Sequence, residues 1–212
     1  MNKKTMPFIV ILSAALLLGI FTGDKFVKLF VPKSIPTDLA ATLLERAKPL
    51  SDFQLLDHNN QPIGLAQLKS KWTFMFFGYT HCPDVCPLAM RVMQQVWKQL
   101  GYLEKPDNNV QMYFVSVDPD RDTPELLKQY ATHYNPNFIG VTGKSDQIDV
   151  LTGQLGILYG FGDPDEKGDY HVNHSGQIVL IDPQGNMRGV FSPPHEPQSI
   201  SRDFLKIREY VE

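Results

Sequence analysis

Residues 72–87 read WTFMFFGYTHCPDVCP. The first part of this stretch, Trp72–Tyr79, is a run of aromatic and apolar residues that lacks the alternating polar positions of a half-exposed strand. It therefore predicts a strand in the centre of a sheet, with both faces covered by other elements. The second part places Cys82 and Cys86, each followed by a proline, where the strand gives way to a helix. In α/β proteins, functional sites lie at this carboxyl edge of the sheet.

The rest of the chain alternates between strand and helix patterns on both sides of this stretch. The predicted elements are, in chain order, a hairpin at 53–65, the central strand at 72–79, an amphipathic helix ending at 100, a strand at 110–117, helices at 123–134 and 145–155, strands at 177–181 and 187–191 joined by a tight turn, and a helix at 198–211. This order predicts an α/β fold, a thioredoxin-like mixed sheet flanked by helices.

Composition and charge argue against nucleic-acid binding and against a fold held by a disulfide framework. The formal net charge is −3 and the basic residues are scattered, so the chain has no basic stripe that would bind nucleic acid. The 212 residues are enough for one domain of about 150 residues and a tail. Two cysteines are too few for a disulfide framework, which indicates a local role for these thiols in catalysis or metal binding.

The N-terminus carries a targeting signal. Lys3 and Lys4 precede an apolar run from Pro7 to Phe21. Counted to Gly23, this run lies at the short end of the roughly 17–25 residues that span a bilayer. No site of the small-x-small type follows the run, which favours an uncleaved membrane anchor over a cleaved signal peptide. The two lysines place the N-terminus in the cytoplasm and the remainder outside it.

These features predict three segments: a membrane anchor over residues 1–23, a linker over 24–48 and a folded domain over 49–212. The linker is interrupted by two prolines, which suits a spacer between domain and membrane. A mitochondrial transit peptide would be rich in arginine, whereas the first arginine here is Arg46. We therefore expect a bacterial inner-membrane protein with a single span and with its soluble domain in the periplasm.

The two cysteines can act as a dithiol, a disulfide or a metal clamp. If both lie in the first helical turn, the rise between them is about 6 Å, which is within the Cα separation that a disulfide tolerates. Free amide hydrogens at a helix start favour thiolate over thiol and so prepare either use. The alternative is a pair of inert buried cysteines, which the flanking prolines and the position after a strand disfavour.

A soft-metal site needs a third ligand, for which the histidines are the candidates. His171 and His174 lie just before the predicted strand at 177–181, and in a thioredoxin-like layout the loop that enters this strand passes beside the thiols. His81 is adjacent to Cys82, but adjacent residues of an extended chain point to opposite faces. The remaining histidines fall in predicted loops or near turns, where a solvated side chain is ordinary: His58, His133 and His195. The residues alone leave both His171 and His174 open.

Three motifs resemble the Sco/SenC family of cytochrome oxidase assembly proteins. They are YTHCPDVCP at 79–87, VSVDPDRDTP at 115–124 and DYHVNHS at 169–175. They occur in the order of the family, and the resemblance extends over most of 49–211. Members of this family are membrane-anchored, thioredoxin-fold copper chaperones that bind copper through two cysteines and the histidine of the third motif. The resemblance therefore implies that Cys82, Cys86 and His174 bind a copper ion.

The resemblance also implies a function, that of a copper chaperone rather than an enzyme. Such a protein delivers its copper to the copper-receiving subunit of cytochrome c oxidase, and its further expected partners are another copper carrier or a thiol reductase. The donor atoms agree with the metal, because thiolates and imidazole suit copper and disfavour magnesium or calcium. Zinc in structural sites normally takes four protein ligands, and this set has three.

The alternative function is that of a thiol-disulfide oxidoreductase that reduces the cysteines of a copper-receiving partner. In this case Cys82 and Cys86 are a redox-active pair and the protein holds no metal. Thioredoxins have two residues between their cysteines and a cis-proline in the loop that approaches them. Here three residues intervene, and His174-Ser175 occupies the corresponding loop without a proline. These differences favour the chaperone.

Overall fold

The computed structural model describes residues 36–102, 107 and 109–212. The predicted membrane anchor over 1–23 and the first part of the predicted linker lie outside these residues. Among the residues that are described, no helix is long and apolar enough to cross a membrane.

The described residues contain ten strands and five helices. The strands are β1 (Thr42–Pro49), β2 (Leu55–Asp57), β3 (Pro62–Ile63), β4 (Trp72–Gly78), β5 (Val110–Ser116), β6 (Phe138–Thr142), β7 (Tyr159–Phe161), β8 (Val172–His174), β9 (Ile178–Ile181) and β10 (Asn186–Phe191). The helices are α1 (Leu65–Leu68), α2 (Val85–Gln99), α3 (Pro124–Tyr134), α4 (Ser145–Leu155) and α5 (Pro197–Val211).

Eight of these strands form one mixed sheet, in the order β1-β10-β9-β4-β5-β6-β2-β3. The central strands β4, β5 and β6 are parallel, whereas β9 pairs antiparallel with both β4 and β10. The strands β7 and β8 form a separate antiparallel hairpin. The predicted α/β fold with a mixed sheet is therefore confirmed, and the thiol motif follows its central strand.

The strand β4 is buried at every position because elements cover both of its faces. Phe74 lies with its ring centroid 5.6 Å from that of Trp97 in α2 and 5.0 Å from that of Phe204 in α5. The helices α2 and α5 also contact each other. Full burial of a side chain of this size contributes roughly 1.5–3 kcal/mol to the free energy of unfolding. The helix α2, whose second residue is Cys86, is thus packed against the central strand.

The folded part starts before the predicted boundary at residue 49. The strand β1 pairs antiparallel with β10, and the carboxylate of Asp203 in α5 accepts hydrogen bonds from the amides of Ala40 and Ala41 at 2.6 and 2.9 Å. This end of the predicted linker is therefore part of the sheet. The strand β1 is a largely exposed edge strand with an irregular register. Such a strand carries charged residues and can end in a proline, and for this reason its sequence resembles that of a linker.

Candidate metal centre

The two cysteines lie where the chain leaves β4 and enters α2. The amide of Cys82 donates a hydrogen bond to the carbonyl of Tyr79 at 3.2 Å, which closes a tight turn after the strand. Cys82 precedes the helix, while Cys86 is its second residue. Both are buried free cysteines, with 8% of Cys82 exposed to solvent against 0% of Cys86. Cys82 is therefore the thiol nearer to the surface.

His174 reaches this turn from the other side, as the last residue of β8. Its ring lies edge-on to Phe76 and Tyr79, with both centroid separations at 6.0 Å. Its Nδ1 lies 3.3 Å from the carbonyl oxygen of Ser175. Because a carbonyl accepts only, Nδ1 carries the proton and Nε2 keeps its lone pair. That lone pair is turned to the thiols, 3.3 Å from Sγ of Cys86.

The donor atoms of Cys82, Cys86 and His174 all lie within 4.8 Å of one another. They are two sulfurs and one imidazole nitrogen, a set that suits a soft transition-metal ion. The carbonyl of Ser175 orients the imidazole in the way that outer hydrogen bonds usually orient metal-binding histidines. The residues present therefore fit an ion held by three protein ligands.

The two thiols have opposite acid–base properties. The pKa of Cys82 is lowered to about 4, chiefly because its thiolate accepts a hydrogen bond from the Cys86 thiol, while burial opposes the shift. The pKa of Cys86 is raised far above its ordinary value, by the hydrogen bond to Cys82 and then by burial. Cys82 is therefore a thiolate at neutral pH in the reduced protein, and Cys86 is a thiol that must lose its proton to bind a metal.

The other histidines do not join this group. His171, the second candidate from the sequence, is exposed, and its backbone carbonyl accepts a hydrogen bond from Gly162. His81 is exposed and lies 3.1 Å from the hydroxyl of Thr80. The remaining three have other neighbours: His58 the amide of Gly140, His133 the ring of Tyr134, and His195 the carbonyl of Gly176. Among the described residues, the structure thus brings together the three that the sequence analysis selected.

The aromatic side chains around the imidazole had no predicted role. Phe76 lies in β4 and Tyr79 follows it, so the strand that leads to the cysteines also supplies the rings that pack on His174. Both belonged to the apolar run from which the buried strand was predicted. Nothing in a uniform apolar run distinguishes a residue that faces a site from one that faces the core.

Comparison with known proteins places the chain in a family. The family model described as SCO1/SenC matches residues 41–211. The SCO2-like protein of Rickettsia felis is 31% identical over 208 residues, which cover 97% of this chain and 98% of that protein. The mitochondrial SCO2 homolog of Mus musculus is 38% identical over 144 residues, which cover 68% of this chain and 56% of that protein.

A solved structure agrees with both comparisons. ScoI of Bradyrhizobium japonicum, determined with copper bound, matches with a TM-score of 0.66 and 32% sequence identity, and the match covers 76% of this chain and 99% of that one. The family model spans the folded part of the chain from β1 to α5, including all three residues of the site. The chain therefore belongs to the SCO1/SenC family.

Proposed function

We propose that this protein is a copper chaperone, which binds a copper ion through Cys82, Cys86 and His174 and passes it on. The observation that carries the proposal is the convergence of two sulfurs and one imidazole nitrogen within 4.8 Å. The copper-bound structure of the related ScoI supports copper as the ion. Copper is the cargo here, so the site has to release it as well as hold it.

The properties of the three side chains suit this task. Cys82 offers a thiolate at neutral pH, whereas Cys86 releases a proton on binding. The hydrogen bond from Nδ1 of His174 to Ser175 keeps Nε2 available. Three protein ligands leave room for a ligand from a partner to enter, whereas structural zinc sites are closed by four protein ligands. Binding and transfer are thus compatible within one site.

The proposed recipient is the copper-receiving subunit of cytochrome c oxidase. The resemblance of the three motifs to oxidase assembly proteins supports this recipient, as does membership of the SCO1/SenC family. Another copper carrier that loads the site and a thiol reductase that keeps its cysteines reduced are the further proposed partners.

Metal analysis tests the binding step. The reduced full chain, loaded with Cu(I) without oxygen and then desalted, should retain one copper per chain by elemental analysis. The disulfide form should retain almost none, because oxidation removes two of the three ligands. Equal copper in both forms would refute the proposed site.

Two variants, His174→Ala and the control His171→Ala, distinguish the chaperone from the alternative thiol-disulfide oxidoreductase. If metal delivery is the function, His174→Ala should lower copper affinity by about 100-fold or more, since even outer partners of metal ligands are worth 10–100-fold. Assembly of the oxidase copper site should fail with it, while exchange with a small disulfide continues. His171→Ala should leave all three measurements near those of the parent. Full oxidase activity at limiting copper with the His174→Ala protein would favour the oxidoreductase.

We also propose that residues 1–23 anchor the protein in the bacterial inner membrane, with its soluble domain in the periplasm. The two lysines before an uncharged apolar run support this orientation. The full chain should then stay in the membrane fraction through washes with high salt and at alkaline pH. A mature N-terminus near Asp24 in mass spectrometry would show a cleaved signal peptide instead.

A further inference from the structure

The ligands of the proposed copper site come from two distant parts of the chain. Cys82 and Cys86 lie after β4, and His174 lies 88 residues beyond Cys86, at the end of a hairpin outside the main sheet. His174 is therefore not itself bonded into the main-sheet ladder, which the chain rejoins at Ile178, opposite Phe76. Besides the packing of Phe76 and Tyr79 on the imidazole, the second sequence motif, which follows β5, provides contacts that set the distance between the imidazole and the thiols.

Asp122 attaches this motif to the cysteine turn. Its side chain has 0% exposure. The carboxylate accepts hydrogen bonds from the amide of Thr80 at 3.0 Å, from the hydroxyl of Thr80 at 2.5 Å and from the hydroxyl of Ser116 at 2.6 Å. Because Thr80 lies two residues before Cys82, these bonds fix the start of the cysteine turn to the end of β5.

Asp118 attaches the same motif to the segment that carries His174. Its carboxylate is also fully buried, and it accepts hydrogen bonds from the hydroxyl of Tyr170 at 2.8 Å and from Nε of Arg121 at 2.5 Å. The guanidinium of Arg121 lies 3.6 Å from the ring centroid of Tyr170 and 5.4 Å from that of Tyr79. Arg121 thus contacts Tyr170, four residues before His174, and the tyrosine that packs on the imidazole.

The two attachments belong to one short turn. The amides of Asp122 and Arg121 both donate to the carbonyl of Asp118, at 3.0 and 3.3 Å. The backbone that joins the two carboxylates is therefore itself held by hydrogen bonds. Removing a hydrogen-bond donor from either carboxylate would leave a buried group unpaired, which costs free energy of folding.

We propose that the turn from Asp118 to Asp122 is a brace that sets the distance between the thiols and the imidazole, with Asp118 and Tyr170 as positioning residues for His174. The inference rests on the proposed function and gives the second motif a role in it. The hydrogen bonds of Asp118 and Asp122 go to groups other than the ligand atoms. The effect of the brace on copper therefore passes through the place at which His174 is held.

Tyr170→Phe is the sharpest test, because it removes the hydrogen bond to Asp118 and keeps the ring under Arg121. The measurement is competition for Cu(I) between the reduced full chain and a chromophoric chelator. We expect affinity to fall about tenfold, as for loss of one hydrogen bond to a charged group. In a chain that already carries His174→Ala, the same change should have no further effect, because no imidazole remains to be positioned.

Tyr159→Phe is the matched control. Its hydroxyl donates to Asp149 at 2.6 Å in an exposed contact, and Tyr159 is the strand partner of His174 in the same hairpin. The Tyr159→Phe substitution removes the same kind of hydrogen bond without altering the brace, so copper affinity should stay within about twofold of the parent. Circular dichroism and the melting temperature of each variant show that it is folded.

The outcomes separate this inference from the proposed function. No copper on the parent protein would overturn the proposed function itself. Copper on the parent with an unchanged affinity in Tyr170→Phe would overturn the brace alone. An equal loss with and without His174 would also overturn it, because Tyr170 would then act on the fold in general.

Discussion

The reduced cysteines are four positions apart but have different surroundings. Cys82 lies before the helix and close to the surface, whereas Cys86 is fully buried, with its Sγ 3.3 Å from Nε2 of His174. Cys86 thus stabilises the Cys82 thiolate and stays protonated itself. An attacking reagent or an incoming metal should therefore meet Cys82 first.

The rate of alkylation by iodoacetamide as a function of pH checks this difference. In the reduced, metal-free protein, the midpoint for Cys82 should lie well below the value of about 8.5 for an ordinary thiol, because the group is already thiolate at mildly acidic pH. Cys86→Ala removes the hydrogen bond from Cys86 and should raise this midpoint. Cys86 should react slowly in the Cys82→Ala protein, because it is buried. A midpoint near 8.5 for Cys82 in the parent would contradict the assignment.

The elements beside the site are packed without spare room. Gly78 ends β4, and a Cβ atom at this position would overlap Sγ of Cys86 and lie 3.2 Å from the ring of Phe114. The strand and the first turn of α2 can approach this closely only because the residue is glycine. The position of Cys86 thus depends on a residue that is not itself a ligand.

Gly78→Ala should therefore destabilise the reduced protein by about 1–3 kcal/mol, as overpacking of a core does. It should also weaken copper binding, since Cys86 has to move. Gly153→Ala, within α4, is the control, because apart from the neighbouring backbone of the helix itself no atom lies within 4 Å of the added Cβ. That change should stabilise the protein by roughly 0.5–1 kcal/mol through the higher helix propensity of alanine. Urea denaturation measures the free energy of unfolding of both variants. Equal changes in the two variants would argue against the close packing at Gly78.

The sequence predicted the elements that carry a strong periodic signal. The uniform apolar run gave β4, and Thr123 with Pro124 gave the start of α3, where the Thr123 side chain accepts a hydrogen bond from the amide of Leu126 at 3.3 Å. The unpredicted strands lack such a signal. The strand β6 has five residues and contains Gly140, where the backbone of Leu127 comes too close for a side chain. The strands β7 and β8 have three residues each and pair with each other.

The lack of a local sequence signal also explains why the site was only partly predicted from the residues. The spacing and setting of the cysteines were sufficient to select them, but the residues left His171 and His174 both open, and the family resemblance decided between them. In the structure, alternation along β8 puts Val172 inside and Asn173 outside, which turns His174 inward. This alternation was of no help beforehand, because β8 is too short to be recognised. The contacts of Asp118 and Asp122 join residues distant in sequence, which no local pattern reveals.

Across the whole molecule, two partly buried histidines make stability dependent on pH. Burial lowers the pKa of His58, whose Nδ1 accepts a hydrogen bond from the amide of Gly140 at 3.0 Å. Burial also lowers the pKa of His195, whose Nε2 donates to the carbonyl of Gly176 at 2.7 Å. Protonation would remove the acceptor at His58 and place a charge in a poorly hydrated position at His195.

The free energy of unfolding should therefore fall as the pH is lowered from about 7 to 5. In the unfolded chain both histidines bind protons near pH 6.5, and in the folded protein they do so only at lower pH. Carboxylates with lowered pKa values, such as Asp38 beside Lys206, act below about pH 4, whereas in the reduced protein the Cys82 thiolate adds a slope of the same sign within this window. Urea denaturation at several pH values measures the slope. His58→Gln should reduce it, and an unchanged slope would exclude His58 as a source.

The separation of 88 positions between Cys86 and His174 has a consequence for the cargo as well as for the site. An ion bound by both Cys86 and His174 closes a large loop of the chain. In the unfolded polypeptide these two ligands are no longer held together as a preformed site. Copper at a thousandfold excess over its dissociation constant would add about 4.1 kcal/mol to folding by mass action. Each handover of copper would then return the donor to its less stable, more protease-sensitive form, so the lifetime of the empty protein would depend on how soon it is reloaded.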